Sequence, residues 1–178
     1  MQIHQWSDLD DRLAGEYAHR PPGMVFPNAS VEDAFQRALR LGVHHLVVVN
    51  ESREPLGVLC TCDLLGRDAE LEVGECMSSP AETVDEQAPA SELLTVVKEH
   101  HRGCVPVLSS GQVGGVVTRG DLRRAGALAE EECERCSRCS TFHHVRADAM
   151  TGEALCVTCR RETEWEWEGE YIELGEGD

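Results

Sequence analysis

Four cysteines stand in two pairs, Cys136-Ser137-Arg138-Cys139 and Cys156-Val157-Thr158-Cys159, with sixteen residues between the pairs. Two residues between thiols let one tight turn aim both sulfurs at a common centre. A second such turn alongside completes a tetrahedral thiolate set about 2.3 Å from a zinc ion. Four protein ligands close the site, so the expected Zn2+ is structural and leaves no position for a substrate. Cys133 leaves an alternative open, because Cys133 and Cys136 have the same spacing and their loop to Cys156 is still of permitted length. The pair Cys136 and Cys139 is preferred: Cys133 adjoins the acidic run Glu130-Glu131-Glu132, whereas Cys139 leads into the strand-like Phe142-His143-His144-Val145-Arg146. His143 or His144 in place of one sulfur is a further arrangement.

The elements that must position these cysteines follow in order: a first knuckle, the strand from Phe142, a turn near Thr151-Gly152, then Ala154-Leu155 entering the second knuckle. This order resembles the broad zinc-ribbon class. It implies a small β-rich domain over residues 133–174 that draws much of its folding free energy from the metal. Near its end, Glu162 to Tyr171 alternates acids with aromatic or small residues, the period of a strand with one wet face and one buried face, and Trp165 and Trp167 are expected to pack on the ribbon or on the paired repeats. Residues 175–178 are read as a tail. Nine cysteines, an odd number with five of them between Cys133 and Cys159, suit metal binding in a reducing compartment better than a disulfide scaffold.

A second set of chemically capable residues lies upstream and occurs twice. The stretch His45-Leu46-Val47-Val48-Val49-Asn50 followed by Gly57-Val58-Leu59-Cys60-Thr61-Cys62-Asp63-Leu64 returns as Gly103-Cys104-Val105-Pro106-Val107-Leu108 followed by Gly115-Val116-Val117-Thr118-Arg119-Gly120-Asp121-Leu122. Each copy opens with a helix start, Ser30-Val31-Glu32-Asp33 with Ser30 as N-cap, and Ala90-Ser91-Glu92. Val31, Ala34, Phe35, Ala38 and Leu41 fall on one face of the first helix. A Val-rich strand, a polar turn (residues 51–55; residues 109–112), a second strand and a helix opened by the Asp complete each unit. A unit this short cannot cover its own apolar sheet, so the two copies are expected to pair as one domain.

The second copy carries Val105-Pro106-Val107 and Gly115-Val116-Val117-Thr118-Arg119-Gly120-Asp121, and the first keeps Gly57 and Asp63 but has Val48 for Pro and Cys60 for Thr. These residues resemble the cystathionine-β-synthase-type (CBS) domain family over about residues 22 to 128. The resemblance implies an α/β (α+β) fold in which two repeats, residues 22–75 and 76–130, stack about a pseudo-twofold axis behind an N-terminal lead of residues 1–21. It also implies two clefts that in many relatives hold adenine nucleotides or related ligands. Asp63 and Asp121 are placed to accept hydrogen bonds from a ribose diol, and Thr118 to donate to a phosphate. Arg119, Arg123, Arg102 and the pair His44-His45 are candidate sources of positive charge. A thiol donates weakly, so the change to Cys60 counts against phosphate binding in the first copy. The plain alternative for each Asp is a helix cap.

Thirty-three acids against sixteen lysines and arginines give a formal charge of −17, a field that repels nucleic acid and anionic lipid. No apolar run is long enough to span a bilayer, and Met1 to Asp11 has no signal-peptide pattern, so a cytoplasmic protein is expected. With no nucleophile-base arrangement, phosphate loop or open metal site, the sequence reads as a non-catalytic regulatory sensor. Its adenine-nucleotide-like ligand would sit between the repeats, and its zinc ribbon would serve stability or contact with a protein partner. Family resemblance adds a homodimer. Two other readings stand beside it: a nucleic-acid-associated factor acting through the ribbon, where five arginines face three acids between Cys133 and Arg161, and a ligand-free interaction scaffold.

Overall fold

The computed structural model describes residues 11–99, 103–128, 137, 145–147 and 152–156. The chain divides into two compact units, residues 1–129 and 130–178.

In the first unit each repeat is a three-stranded sheet backed by helix. Strand β1 (Met24–Val25) runs parallel to β2 (His45–Val49), which pairs antiparallel with β3 (Pro55–Cys60). Between β1 and β2 lies helix α1 (Val31–Leu41), and after β3 comes the one-turn helix α2 (Thr61–Leu64). Ser30 caps α1 by accepting the Asp33 N–H at 3.1 Å, and Gly42, at φ 64°, ends it by donating back to Ala38 and Leu39. Val31, Ala34 and Ala38 are buried and Phe35 packs beside them, as the helical pattern predicts, but Leu41 is 48 % exposed. A connector carrying the short helix α3 (Val73–Cys76) leads to the second repeat. There β4 (Val84–Asp85) runs parallel to β5 (Cys104–Ser109), β5 pairs antiparallel with β6 (Gln112–Thr118), and helices α4 (Ala90–Glu99) and α5 (Arg119–Arg124) take the places of α1 and α2. Pro106 sits in the central strand where its missing N–H is harmless, because β4 begins pairing only at Val107.

The two repeats are interlocked by the segments that introduce them. Residues ahead of the first repeat lie on the second: His19 and Val116 exchange both backbone hydrogen bonds (2.8 and 3.1 Å), Ala14 and Gly15 donate to Ala88 and Glu86, and Ala90 donates to Arg12. Residues ahead of the second repeat lie on the first in the same manner. Ser78 and Val58 exchange bonds (2.9 and 3.0 Å), Val73 and Gly74 donate to Ala29 and Pro27, and Val31 donates to Leu71. Each lead ends in a cis X-Pro peptide, Arg20-Pro21 and Ser79-Pro80. The sheets also share a core of Val47, Val49, Cys104, Val113 and Val116, with Met24, Val58 and Leu108 packed on it. At the hairpin turns Val113 N–H donates to the Arg53 carbonyl (3.0 Å), and the Arg53 guanidinium donates to the Val113 carbonyl (3.1 Å).

In the second unit β7 (Arg146–Ala147) and β8 (Ala154–Leu155) form an antiparallel pair, with Gly152 at φ 71° in the turn region. Ser137 donates to the Ala154 carbonyl through both its N–H (2.8 Å) and its hydroxyl (3.2 Å). Leu155 and Cys156 are buried with Val145 beside them. The strand expected at Glu162 to Tyr171 lies outside the described residues, as do Cys133, His143 and His144. Among the described residues no helix is long and apolar enough to cross a membrane.

The interlock explains the repeated glycine. A Cβ at Gly57 would stand 2.7 Å from Met77 Sδ and 2.8 Å from the Ser78 carbonyl oxygen, and one at Gly115 would stand 2.9 Å from Ala18 Cβ and 3.1 Å from the His19 carbonyl oxygen. Substituting Gly57→Ala or Gly115→Ala is expected to lower stability by about 1–3 kcal/mol through overpacking, whereas Gly114→Ala, 3.1 Å from the Ser109 side chain, should cost less. Urea denaturation followed by circular dichroism measures the difference.

Candidate functional site

Helices α2 and α5 both open beside the starts of the central strands. Thr61 N–H donates to the His44 carbonyl (2.9 Å) and Arg119 N–H donates to the Gly103 carbonyl (3.4 Å). Gly103 and His45 face each other across the repeats: a Cβ on Gly103 would lie 3.1 Å from His45 Nε2. His44, His45, Gly103, Thr61 and Arg119 therefore collect at one end of the paired sheets. That end also carries Thr118 with Asp121 and Cys60 with Asp63.

The repeated Asp is the third residue of its helix, and the cap is the residue before the helix. In the second repeat Thr118 and Asp121 form a reciprocal box: Asp121 Oδ2 accepts the Thr118 N–H at 2.8 Å and its hydroxyl at 2.6 Å, while Thr118 Oγ1 accepts the Asp121 N–H at 3.3 Å. Arg124 binds the other carboxylate oxygen. Both side chains are thus engaged with each other. In the first repeat Cys60 takes the cap position and accepts the Cys62 N–H through sulfur at 3.3 Å. It offers Asp63 no hydroxyl, and among the described residues the half-buried Asp63 carboxylate accepts no hydrogen bond.

Arg119 is half-buried. One guanidinium nitrogen donates to the Val97 carbonyl near the end of α4 (3.2 Å), and its buried Nε has no acceptor among the described residues. Such an orphaned donor costs free energy until something supplies an oxygen. Cys104 is buried beneath this site. Burial, reinforced by the Asp121 charge, pushes its thiol up to about 12. Burial likewise raises Cys60, against the Cys62 N–H that favours its thiolate. Both thiols stay protonated at neutral pH and act as small packing groups. Arg123 is half-buried on α5, and Arg102 lies outside the described residues. Of the four cysteines expected to hold metal, Cys156 is buried, and Cys136, Cys139 and Cys159 lie outside the described residues.

The CBS domain signature matches residues 14–70 and again residues 73–128. The chain belongs to the CBS domain family. No curated protein matches it in sequence. Among solved structures it is similar to the CBS domain pair of protein MJ0100 in complex with 5'-methylthioadenosine and S-adenosyl-L-methionine, with 22 % identity and a TM-score of 0.58 over 64 % of this chain and 94 % of that one. It is similar also to CBSX2 in complex with AMP, with 23 % identity and a TM-score of 0.58 over 64 % and 95 %. A putative acetoin utilization protein from Vibrio cholerae matches with 23 % identity and a TM-score of 0.57 over 64 % and 88 %. These likenesses establish the fold of the CBS pair, a mixed α/β arrangement of two small sheets with helices.

One feature escaped the sequence reading. At the opposite end of β2, a cavity of about 350 Å3 is lined by Met24, Val25, Phe26, Ala29, Val49 and Asn50 with Asp33, Arg37, Arg40, Glu51 and Arg53. The helical pattern counts Arg37 and Arg40 simply as the wet face of α1, and no spacing rule joins them to Arg53 across the hairpin. For the caps, Thr118→Ala is expected to cost about 1 kcal/mol of stability, while Asp63→Ala, whose carboxylate accepts no hydrogen bond among the described residues, should cost less than half that. Chemical denaturation of the two variants beside the unmodified chain checks the asymmetry.

Proposed function

We propose that this CBS pair is a non-catalytic regulatory sensor that binds an adenine-nucleotide-like ligand between its repeats. The proposed ligand residues are Asp121, Thr118, Asp63 and Arg119. The observation that carries this reading is the convergence of both helix openings at one end of the paired sheets, with the buried Arg119 Nε lacking an acceptor among the described residues. An anionic ligand would supply that acceptor, and the carboxylate of Asp63 or Asp121 would take the hydroxyls of a ribose. The adenine-bearing ligands of the MJ0100 pair and of CBSX2 support the same chemistry here. A ligand with unequal affinity for two arrangements of the repeats would shift their populations and pass the signal to a protein partner or to a second copy in a homodimer. No step of this function involves a membrane or nucleic acid, and a cytoplasmic setting suits the thiol-rich chain.

The second unit, in the same reading, is a ribbon held by Zn2+ on Cys136, Cys139, Cys156 and Cys159. The paired hydrogen bonds from Ser137, which lies between Cys136 and Cys139, to Ala154, two residues before Cys156, support it. They tie the first knuckle's sequence to the approach of the second.

A thermal-shift series with AMP, ADP, ATP and S-adenosylmethionine tests the sensor. At a hundredfold excess over its dissociation constant a true ligand stabilises by about 2.7 kcal/mol, a shift that Asp121→Ala, measured from its own baseline, should abolish or sharply reduce. No shift with any of the four would leave the ligand-free scaffold as the better account. Metal analysis of the purified chain should give one zinc per chain, lost in Cys136→Ser and Cys159→Ser. Retention of stoichiometric zinc in both variants would overturn the ribbon.

A further inference from the structure

We propose that the cavity between β1, α1 and the β2–β3 turn is a second binding site, for a singly charged organic anion with an apolar body. Its walls divide by chemistry. Met24, Val25, Phe26 and Val49 supply an apolar floor on which Phe26 remains 52 % exposed, so that its ring face is open to a ligand. Over the floor stand Arg37 and Arg40, one helical turn apart on α1, and Arg53 from the hairpin turn. Among the described residues, the exposed guanidinium groups of Arg37 and Arg40 make no hydrogen bond or ion pair, although the chain carries seventeen net negative charges and Asp33 lies one turn from Arg37. Arg53 is held in place instead. Its backbone stands at φ 62°, and its guanidinium donates to the Val113 carbonyl of the other repeat at 3.1 Å.

Nothing in the fold requires these cations. A basic residue in the last turn of α1 suits the helix dipole, which accounts for Arg40 alone. In the second repeat, where Ala90 opens α4 as Val31 opens α1, the equivalents of Arg37 and Arg40 are Val96 and Glu99. The cavity is of a size that holds a small ligand, and apolar walls with a few fixed polar groups are the usual make-up of such sites. Three guanidinium groups set against the carboxylates of Asp33 and Glu51 leave one positive charge. That balance selects a monoanion, a carboxylate, sulfonate or phosphodiester on an aromatic or branched body, over a polyphosphate. The site is separate from the helix-opening end of the sheets, where the nucleotide reading places its ligand.

The test uses the full chain and two dyes of matched shape, the anionic 8-anilinonaphthalene-1-sulfonate and the neutral N-phenyl-1-naphthylamine, titrated by fluorescence. The expected result is saturable binding of the sulfonate to one site per chain. Arg37→Gln with Arg40→Gln should weaken it about tenfold or more, as loss of two charge-assisted contacts predicts. Arg37→Lys with Arg40→Lys should weaken it less, Asp121→Asn should leave it unchanged, and the neutral dye should bind far more weakly. Far-ultraviolet circular dichroism establishes that each variant is folded. Equal binding of both dyes, indifference to the Gln variants, or loss of binding in Asp121→Asn would overturn the proposal. The last outcome would place the dye at the nucleotide end and leave that reading standing by itself.

Discussion

Residues 11–19 and 69–78 each lie across the repeat that they do not introduce, and the rest of the first unit depends on that exchange. A three-stranded sheet with a short helix leaves the outer edge of its last strand open, an edge that ordinarily invites pairing with other chains. Here the edge of β3 is met by Ser78 and the edge of β6 by His19, each through two backbone hydrogen bonds. Because each lead belongs in sequence to the other repeat, closing one edge draws the second repeat into register. At Gly57 and Gly115 the crossing segment comes so close that a Cβ would clash, so a residue without a side chain in each repeat accommodates the assembly.

The same exchange fixes where chemistry can occur. With Gly103 against His45, the first residues of the two hairpins are neighbours, and the helices that follow β3 and β6 open at one end of the molecule. The hairpin turns come together at the other end, where Arg53 and Val113 exchange hydrogen bonds. Two candidate sites therefore lie at opposite ends of the same strands. One is built from helix openings and the other from a helix flank and a turn.

Much of this was legible in the sequence, because repetition turns weak local signals into strong ones. Gly57 with Gly115 and Asp63 with Asp121 identify the unit, and the alternation of Val-rich runs with polar turns sets its strands. The zinc spacing is a separate expectation, and Cys136, Cys139 and Cys159, on which it rests, lie outside the described residues. Two things were not legible. Which repeat each lead would cover depends on backbone pairing between His19 and Val116, and backbone groups carry no side-chain signature. The cavity likewise depends on the approach of Arg53 to α1, which brings together residues with no common period. The sequence reading also took the Asp to open each helix. The structure makes it the third residue, with Thr118 or Cys60 as the cap, because a side-chain oxygen or sulfur one position ahead of the helix reaches the free N–H groups first.

That correction changes how the two copies compare as ligand sites. The intact Thr118 and Asp121 look like the better-equipped pair, yet each already satisfies the other, and a ligand that recruits the Asp121 carboxylate must replace two hydrogen bonds and an ion pair with Arg124. Only the difference between the new bonds and the old would appear as affinity. Cys60 frees Asp63 from that competition, since a thiol is too poor a donor to hold the carboxylate. In the nucleotide reading, the first copy thus contributes the Asp63 carboxylate, which accepts no hydrogen bond among the described residues, but no hydroxyl at the cap position. The second contributes a hydroxyl and a cation, Arg119, whose carboxylate neighbour is committed to the cap. In that reading, ligand binding at the second copy would exchange one set of bonds at the mouth of α5 for another.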